Sequence, residues 1–265
     1  MKRGLRHSLL GSLAFGAASA AIAAAPACTA HSPEHRVALL ELYTSEGCSS
    51  CPPADRWLSA ARQRADWAGR VVPLALHVDY WDYIGWKDAF AKPLFSARQQ
   101  EQVAAAGNTV VYTPQFFVQG RSWRSAKPSS DLDAALQEAA RKPAGADVSL
   151  TSQKTEGRSL SVRLEVRLKP GQDAAAVYVA LYQNGLTTSV RAGENQGATL
   201  RHDYVVREWI GPKILASGQV LNETVRLALP EGAAASDLGI VAFVQNPRSR
   251  DVLQALSLPL CASQS

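Results

Sequence analysis

Apolar residues run almost unbroken through Val37, Ala38, Leu39, Leu40, Leu42 and Tyr43, with one carboxylate, Glu41, set among them. That pattern predicts a short strand buried on both faces. After a cysteine-containing turn, Trp57, Leu58, Ala61 and Ala65 recur at helical spacing between Ala54 and Trp67, while Arg62 and Arg64 face elsewhere. Val71 to Val78 reads as a second central strand, with Pro73 expected at its beginning because proline cannot donate to a ladder. An aromatic and polar stretch from Asp79 to Asp88 follows, then a helix from Pro93 to Ala106 that Gly107 stops. Gln115 to Gln119 forms the next strand, turned at Gly120, and Ser129 or Ser130 caps a helix with Leu132, Ala135, Leu136 and Ala139 on one face. The order β, α, β, α, β, β, α predicts an α/β layer.

The texture changes beyond Lys142, Pro143, Ala144 and Gly145. Leu160, Val162, Leu164, Val166 and Leu168 alternate with polar residues, Pro170-Gly171 and Asn184-Gly185 punctuate, and alternation returns at Val225, Leu227 and Leu229. Residues 147 to 260 therefore predict an antiparallel β-sandwich of about seven strands. The expected division is a linker at 28–35, the α/β layer at 36–142, a second linker at 143–146 and the sandwich at 147–265.

Charge and composition change this picture mainly at the amino terminus. Lys2, Arg3 and Arg6 precede an apolar stretch from Leu9 to Ala25, and Ala25-Pro26-Ala27 fits a cleavage site, so residues 1–27 read as a secretory signal. The protein is then expected outside the cytoplasm, in a periplasm or beyond the cell, without a stable membrane span. Lipid attachment at Cys28 is the minority reading, since Ala25 stands where such signals usually carry leucine. Removing the signal lowers the formal net charge from +5 to +2. No dense run of Lys and Arg remains to serve as a nucleic-acid footprint.

Four cysteines in an exported chain form an even set. Proximity in sequence suggests the pairs Cys48–Cys51 and Cys28–Cys261. The second would close a loop of over two hundred residues. In the chain-entropy model such a loop is worth on the order of 5 kcal/mol, a staple for the termini. The first restrains the unfolded chain little, which makes stability a poor reason for having it.

A redox dithiol needs one thiolate to attack a partner's disulfide and a second thiol close enough to resolve the mixed disulfide. Cys48, first out of the strand, is the expected nucleophile, and Cys51, nearer the helix, the resolving thiol. A helix terminus contributes only about 0.3–1 kcal/mol at an exposed site, less than one pKa unit. Ser49 and Ser50 can donate hydrogen bonds, whereas Glu46 opposes thiolate formation. A moderately acidic Cys48 and an intermediate potential are expected. Pro52 and Pro53 disfavour helical dihedrals at Cys51 and so are expected to start the helix after it.

Tyr43-Thr44 followed by Gly47-Cys48-Ser49-Ser50-Cys51 resembles the strand and active-site turn of glutaredoxins. The whole chain resembles more closely the secreted bacterial proteins grouped as domain-of-unknown-function family twelve twenty-three. The residues that carry this are Leu42 to Asp55, His77 to Asp82 with Gly85, Trp86 and Asp88, Tyr112 to Gln115, and Arg201 to Arg207. The resemblance implies an α/β thioredoxin-like domain followed by an all-β antiparallel sandwich domain. It also implies that Thr113-Pro114 is the cis-proline element that presents an extended substrate beside the dithiol. Gly47 departs from thioredoxin, which carries tryptophan before the first cysteine. Glu41 stands near the position of thioredoxin's buried proton-handling aspartate, one residue further from the cysteine; the other reading is a carboxylate paired in the core.

Three functions stay open at this point: a thiol–disulfide oxidoreductase acting on protein or small-molecule thiols and disulfides without a cofactor, a binding module stiffened by a structural Cys48–Cys51 bridge, and a copper-handling protein using Cys48, Cys51 and His77. No resident metal is expected, because a second CxxC is missing. Asp79, Trp81 and Trp86 form either a substrate rim or a loop packed on the sheet edge. Arg201-His202-Asp203, lacking a positioned nucleophile, reads as a structural or interface motif.

Overall fold

A computed structural model describes residues 27–123, 130–155 and 157–261. The expected export signal and the alternative cap Ser129 lie outside the described residues, apart from Ala27. In the first half, β1 (Cys28–His31) is followed by β2 (Ala38–Thr44), α1 (Pro52–Ala60), β3 (Val71–His77) and α2 (Pro93–Ala105). Then come β4 (Gln115–Val118), β5 (Arg121–Ser122) and α3 (Ser130–Ala139). The rest is strand: β6 (Ala146–Thr155), β7 (Ser159–Leu168), β8 (Ala174–Gln183), β9 (Leu186–Ser189) and β10 (Thr199–His202). β11 (Val205–Ala216), β12 (Val220–Ala228), β13 (Leu238–Gln245) and β14 (Val252–Pro259) complete it.

The expectation of a thioredoxin-like α/β domain followed by a separate sandwich is overturned by the sheet topology. Strands β14, β13, β8, β11, β3, β2, β4 and β5 lie side by side in one eight-stranded sheet. The seam is β11, antiparallel to β8 along most of its length and parallel to β3 at Val205–Ala75. The fold is therefore mainly β, with three α-helices among the described residues. A four-stranded sheet, β1-β6-β7-β12, and a two-stranded ribbon, β10-β9, complete it.

The two faces of the large sheet are buried differently. Along β2 and β3, Leu39, Tyr43, Val72, Leu74 and Leu76 pack with Phe95 and Val103 of α2 and with Tyr178 and Phe243. The alternate residues Ala38, Leu40, Leu42, Val71 and Ala75 pack under Leu58 of α1 and Leu132 and Leu136 of α3. On that same side, but at the β8–β13 end, Val177, Val179, Ile240 and Ala242 meet the four-stranded sheet through Val148, Leu150, Val162 and Leu164. A period of two thus sends each strand's side chains into different cores.

Pro73 sits inside β3 rather than at its start. The Ala75 amide, two residues on, donates to Tyr204 at 2.9 Å, so the Pro73 nitrogen faces the same side, where β11 pairs only from Val205 onward. A missing donor costs nothing on an unpaired stretch of edge. The Cys28–Cys261 bridge is formed and joins β1 of the small sheet to the end of β14 in the large one.

Candidate functional site

The Cys48–Cys51 bridge is formed at the top of β2, where the chain turns into α1. Cys51 adopts helical dihedrals despite the proline after it, and its carbonyl accepts from Ala54 at 2.9 Å and Asp55 at 3.1 Å. The helix proper begins at Pro52, where an absent N–H is harmless. Cys48 Sγ lies 3.3 Å from Ser50 Oγ and 3.7 Å from the Thr113 carbonyl oxygen. The Thr113–Pro114 peptide is cis. Both cysteines are fully buried, with Ser49 and Ser50 exposed above them.

The 79–88 segment packs against this turn. Trp81 Nε1 donates to Thr113 Oγ1 at 2.7 Å and Trp86 Nε1 to Glu46 Oε2 at 2.9 Å. Asp79 Oδ1 accepts from the Ser96 hydroxyl, which ties it to α2. A Cβ on Gly47 would stand 3.1 Å from Trp81 Cβ, so the space above the first cysteine is already filled by an aromatic from elsewhere in the chain. This is the physical reason for glycine at that position.

Behind the bridge lies a buried cluster of five ionisable side chains: Glu46, Asp55, His77, Asp88 and His202. His77 Nδ1 is 2.6 Å from Asp88 Oδ2, and the same oxygen accepts from the Glu46 amide at 2.9 Å. His202 Nε2 is 3.2 Å from Glu46 Oε1 and its Nδ1 is 3.9 Å from Asp55 Oδ2, ion-pair distances without hydrogen-bond alignment. The two imidazoles meet edge to face, with ring centres 5.0 Å apart, and Phe90 closes the group against both. Among the described residues, Glu46 Oε1, Asp55 Oδ2, His77 Nε2 and both His202 nitrogens are buried without a hydrogen-bond partner.

The charges follow from this packing. Burial alone would push the His77 imidazole down, but Asp88, by charge and hydrogen bond, with Asp55 and Glu46, holds it above its ordinary value. Burial would raise Asp88, yet the facing His77 and the amides of Glu46 and Phe90 hold it below the usual carboxylate range. Asp55 is pushed up, chiefly by burial, against the opposing pull of His202 and His77.

A loop of the second half reaches over the cysteine turn. Asn195 Nδ2 donates to the carbonyls of Glu46 at 2.8 Å and Cys48 at 3.0 Å, and Glu194 Oε2 accepts from the Ser49 amide at 3.0 Å. Asp203, next to His202, accepts from Arg62 at 2.9 Å and from the Gly185 amide at 2.9 Å. Arg201-His202-Asp203 is thus an interface motif in part, while His202 itself belongs to the site.

Glu41 does not. Its carboxylate accepts from Arg98 Nε and Gln102 Nε2, both at 2.7 Å, on the sheet face covered by α2. This is the core-paired alternative. His77, the candidate copper ligand, has Nδ1 engaged by Asp88 and Nε2 without a partner among the described residues. Among the described residues, no three His, Cys, Asp or Glu side chains are placed to hold one metal ion. Sequence reasoning missed His202, Asp55, Glu194 and Asn195 as site residues. The one available signal was that Asp55 and His202 fall within the segments carrying the family resemblance.

A family model described as "Protein of unknown function (DUF1223)" matches residues 39–245. Protein AGR_C_4864 from Agrobacterium tumefaciens, a crystal structure, is 26% identical over 85% of this chain and 96% of that one, with a TM-score of 0.60. HBP35 of Porphyromonas gingivalis is similar in fold, with a TM-score of 0.64 at 16% identity over 86% of this chain and 76% of that one. No curated protein matches the chain. No described helix is long and apolar enough to cross a membrane.

Proposed function

The chain belongs to the DUF1223 family, and from that premise we propose that it is an exported thiol–disulfide exchange protein whose reacting pair is Cys48 and Cys51. One observation carries the reading: a bridge of little use to stability is backed by five buried ionisable groups, several with unpartnered atoms. Burying an ion costs several kcal/mol even after relaxation, and an orphaned buried polar atom calls for a chemical reason. Proton exchange with a dithiol is such a reason, because its reduction takes up two protons with two electrons.

In the proposed cycle the Cys48 thiolate attacks a substrate disulfide and Cys51 then displaces the substrate thiolate. The protein's two sulfurs give up two electrons, and two substrate thiols leave. In this cycle the Thr113 carbonyl, 3.7 Å from Cys48 Sγ and an acceptor for the Ser50 hydroxyl, would receive an amide of an extended substrate chain. The amino-terminal signal pattern and the two bridges support action outside the cytoplasm.

The test equilibrates the protein in glutathione buffers and counts Cys48 and Cys51 thiols by alkylation and mass spectrometry. Reversible opening is expected, together with disulfide reductase activity lost in Cys48→Ser. A bridge unresponsive across the whole glutathione range would overturn the proposal. That outcome favours a second reading, a binding module with a stiffened loop, whose supporting observation is the complete burial of both cysteines.

A further inference from the structure

Thiol exchange has a chemical requirement that the cysteines cannot meet alone: Cys51 must lose its proton to attack the mixed disulfide on Cys48. We propose that the Asp55 carboxylate takes that proton, with His202 as its partner and the pocket beside Pro52 as its outlet. This rests on the exchange reading above.

Asp55 follows Cys51 by one helical turn, its amide donating to the Cys51 carbonyl. Residues at that spacing lie on one helix face with their Cβ atoms about 5–6 Å apart. The side chain is 6% exposed and Oδ2 has no hydrogen-bond partner among the described residues. Asp55 is the acid placed one turn from Cys51, and the others nearby are more engaged, although Glu46 keeps one oxygen, Oε1, without a hydrogen bond. Asp88 takes up His77 and two amides, Glu46 holds Trp86 and faces His202, and Glu41 is spent on Arg98 across the sheet.

A pocket of about 160 Å³ opens at Pro52 and is lined by Asp55, Arg56, Leu200, Arg201 and His202, so the buried carboxyl belongs to a residue that borders a recess on the solvent side. The groups that act on its charge come from several sides: His202 of β10, His77 of β3, the Thr44 hydroxyl at the end of β2 and Asp88 of the following loop, with Arg56 and Arg201 lining the same pocket and Glu46 facing His202. Burial raises the Asp55 carboxyl, which brings its basicity closer to that of a thiol.

In the step itself the Cys51 S–H proton passes to Asp55 Oδ2. The freed electron pair forms the bond to Cys48 sulfur, and the bond from Cys48 to the substrate sulfur breaks with its pair leaving on the substrate thiolate. That thiolate is protonated by the proton Asp55 gives up, directly or through water in the pocket. Over the cycle one substrate disulfide gains two electrons and two protons, and the protein dithiol becomes a disulfide.

Rapid mixing of the reduced protein with dithiobis-nitrobenzoate resolves the two sulfurs. The first burst of coloured thiolate depends on reagent concentration and reports Cys48. The second does not and reports resolution by Cys51. In Asp55→Asn the second phase is expected to slow at least about tenfold near neutral pH while the first keeps its rate. In Asp55→Ala, added formate is expected to restore the second phase in proportion to its concentration, which lost packing would not allow. A second phase in Asp55→Asn that matches wild type in rate and pH profile overturns the assignment, as does an Asp55→Ala phase indifferent to formate. A wild-type protein with no second phase overturns the exchange reading itself, so the two failures are told apart.

Discussion

His77 and Asp88 hold each other charged in a place where neither would be charged alone. His77 has its folded pKa raised, so its contribution is full below the unfolded value near about 6.5 and is lost as pH rises through the folded value. Asp88 has its folded pKa lowered, so its contribution is present above about 3.9 and is lost as pH falls through the folded value. Asp55, raised by burial, adds a penalty as pH climbs above its unfolded value. The oxidised protein is therefore expected to be most resistant to urea in the mildly acidic range between about pH 4 and 6.5. Asp88→Asn strands a buried imidazole and should cost about 3 kcal/mol there, with a smaller deficit near pH 9; urea unfolding of both proteins across pH reads this directly, and an unchanged deficit would refute the charged pair. Gly47→Ala forces its new methyl onto Trp81, so a loss of about 1–3 kcal/mol is expected, seen as a lower melting temperature with altered tryptophan fluorescence.

Among the elements, α2 depends on polar as well as apolar anchoring. Arg98 joins Glu41 of β2 and lies over the rings of Tyr178, Trp209 and Phe243 at 4.8, 5.0 and 5.1 Å, which links the helix to β2, β8, β11 and β13. Glu41→Ala leaves that guanidinium buried without its carboxylate, with only Gln245 still accepting from it, and an expected loss of about 3–5 kcal/mol with faster amide exchange in α2. Exchange confined to the helix ends would refute this. Most elements were legible in the sequence, because alternation and helical spacing are local signals: β2, β3, α2 and β4 fall close to where the pattern puts them, whereas α1 stops at Ala60 and the expected stretch to Trp67 breaks into two short 3-10 turns. Partners of a given face were not. Period two places Glu41 and Leu42 on opposite sides of β2, yet nothing in the pattern tells which side receives α1 and which α2.

For the whole molecule, the decisive contacts are non-local and left no periodic trace. One strand, β11, converts two expected layers into one sheet through Tyr204 and Val205, and the residue three before Val205 is His202 of the buried cluster. The cysteine turn was therefore legible and its acid–base surroundings were not, since these come from β3, the following loop, α1 and β10 together. Residues 36–142 made alone should lack the pairing partner of Ala75, His202 and the Asn195 clamp, and are expected to give the poorly dispersed amide spectrum of an unfolded chain. Opening the terminal staple with Cys28→Ser and Cys261→Ser together should cost on the order of 5 kcal/mol by denaturant unfolding, while the Cys48 reaction rate stays unchanged. The placement of His202 also sets an order of events during biogenesis. Roughly 150 residues separate Cys51 from His202, and at synthesis rates of about 5–20 residues per second the cysteines exist for on the order of ten seconds before the imidazole is made. A nascent chain that meets an oxidant in that interval closes the bridge as an ordinary peptide disulfide, and the buried cluster is completed beside it only when β10 and β11 arrive.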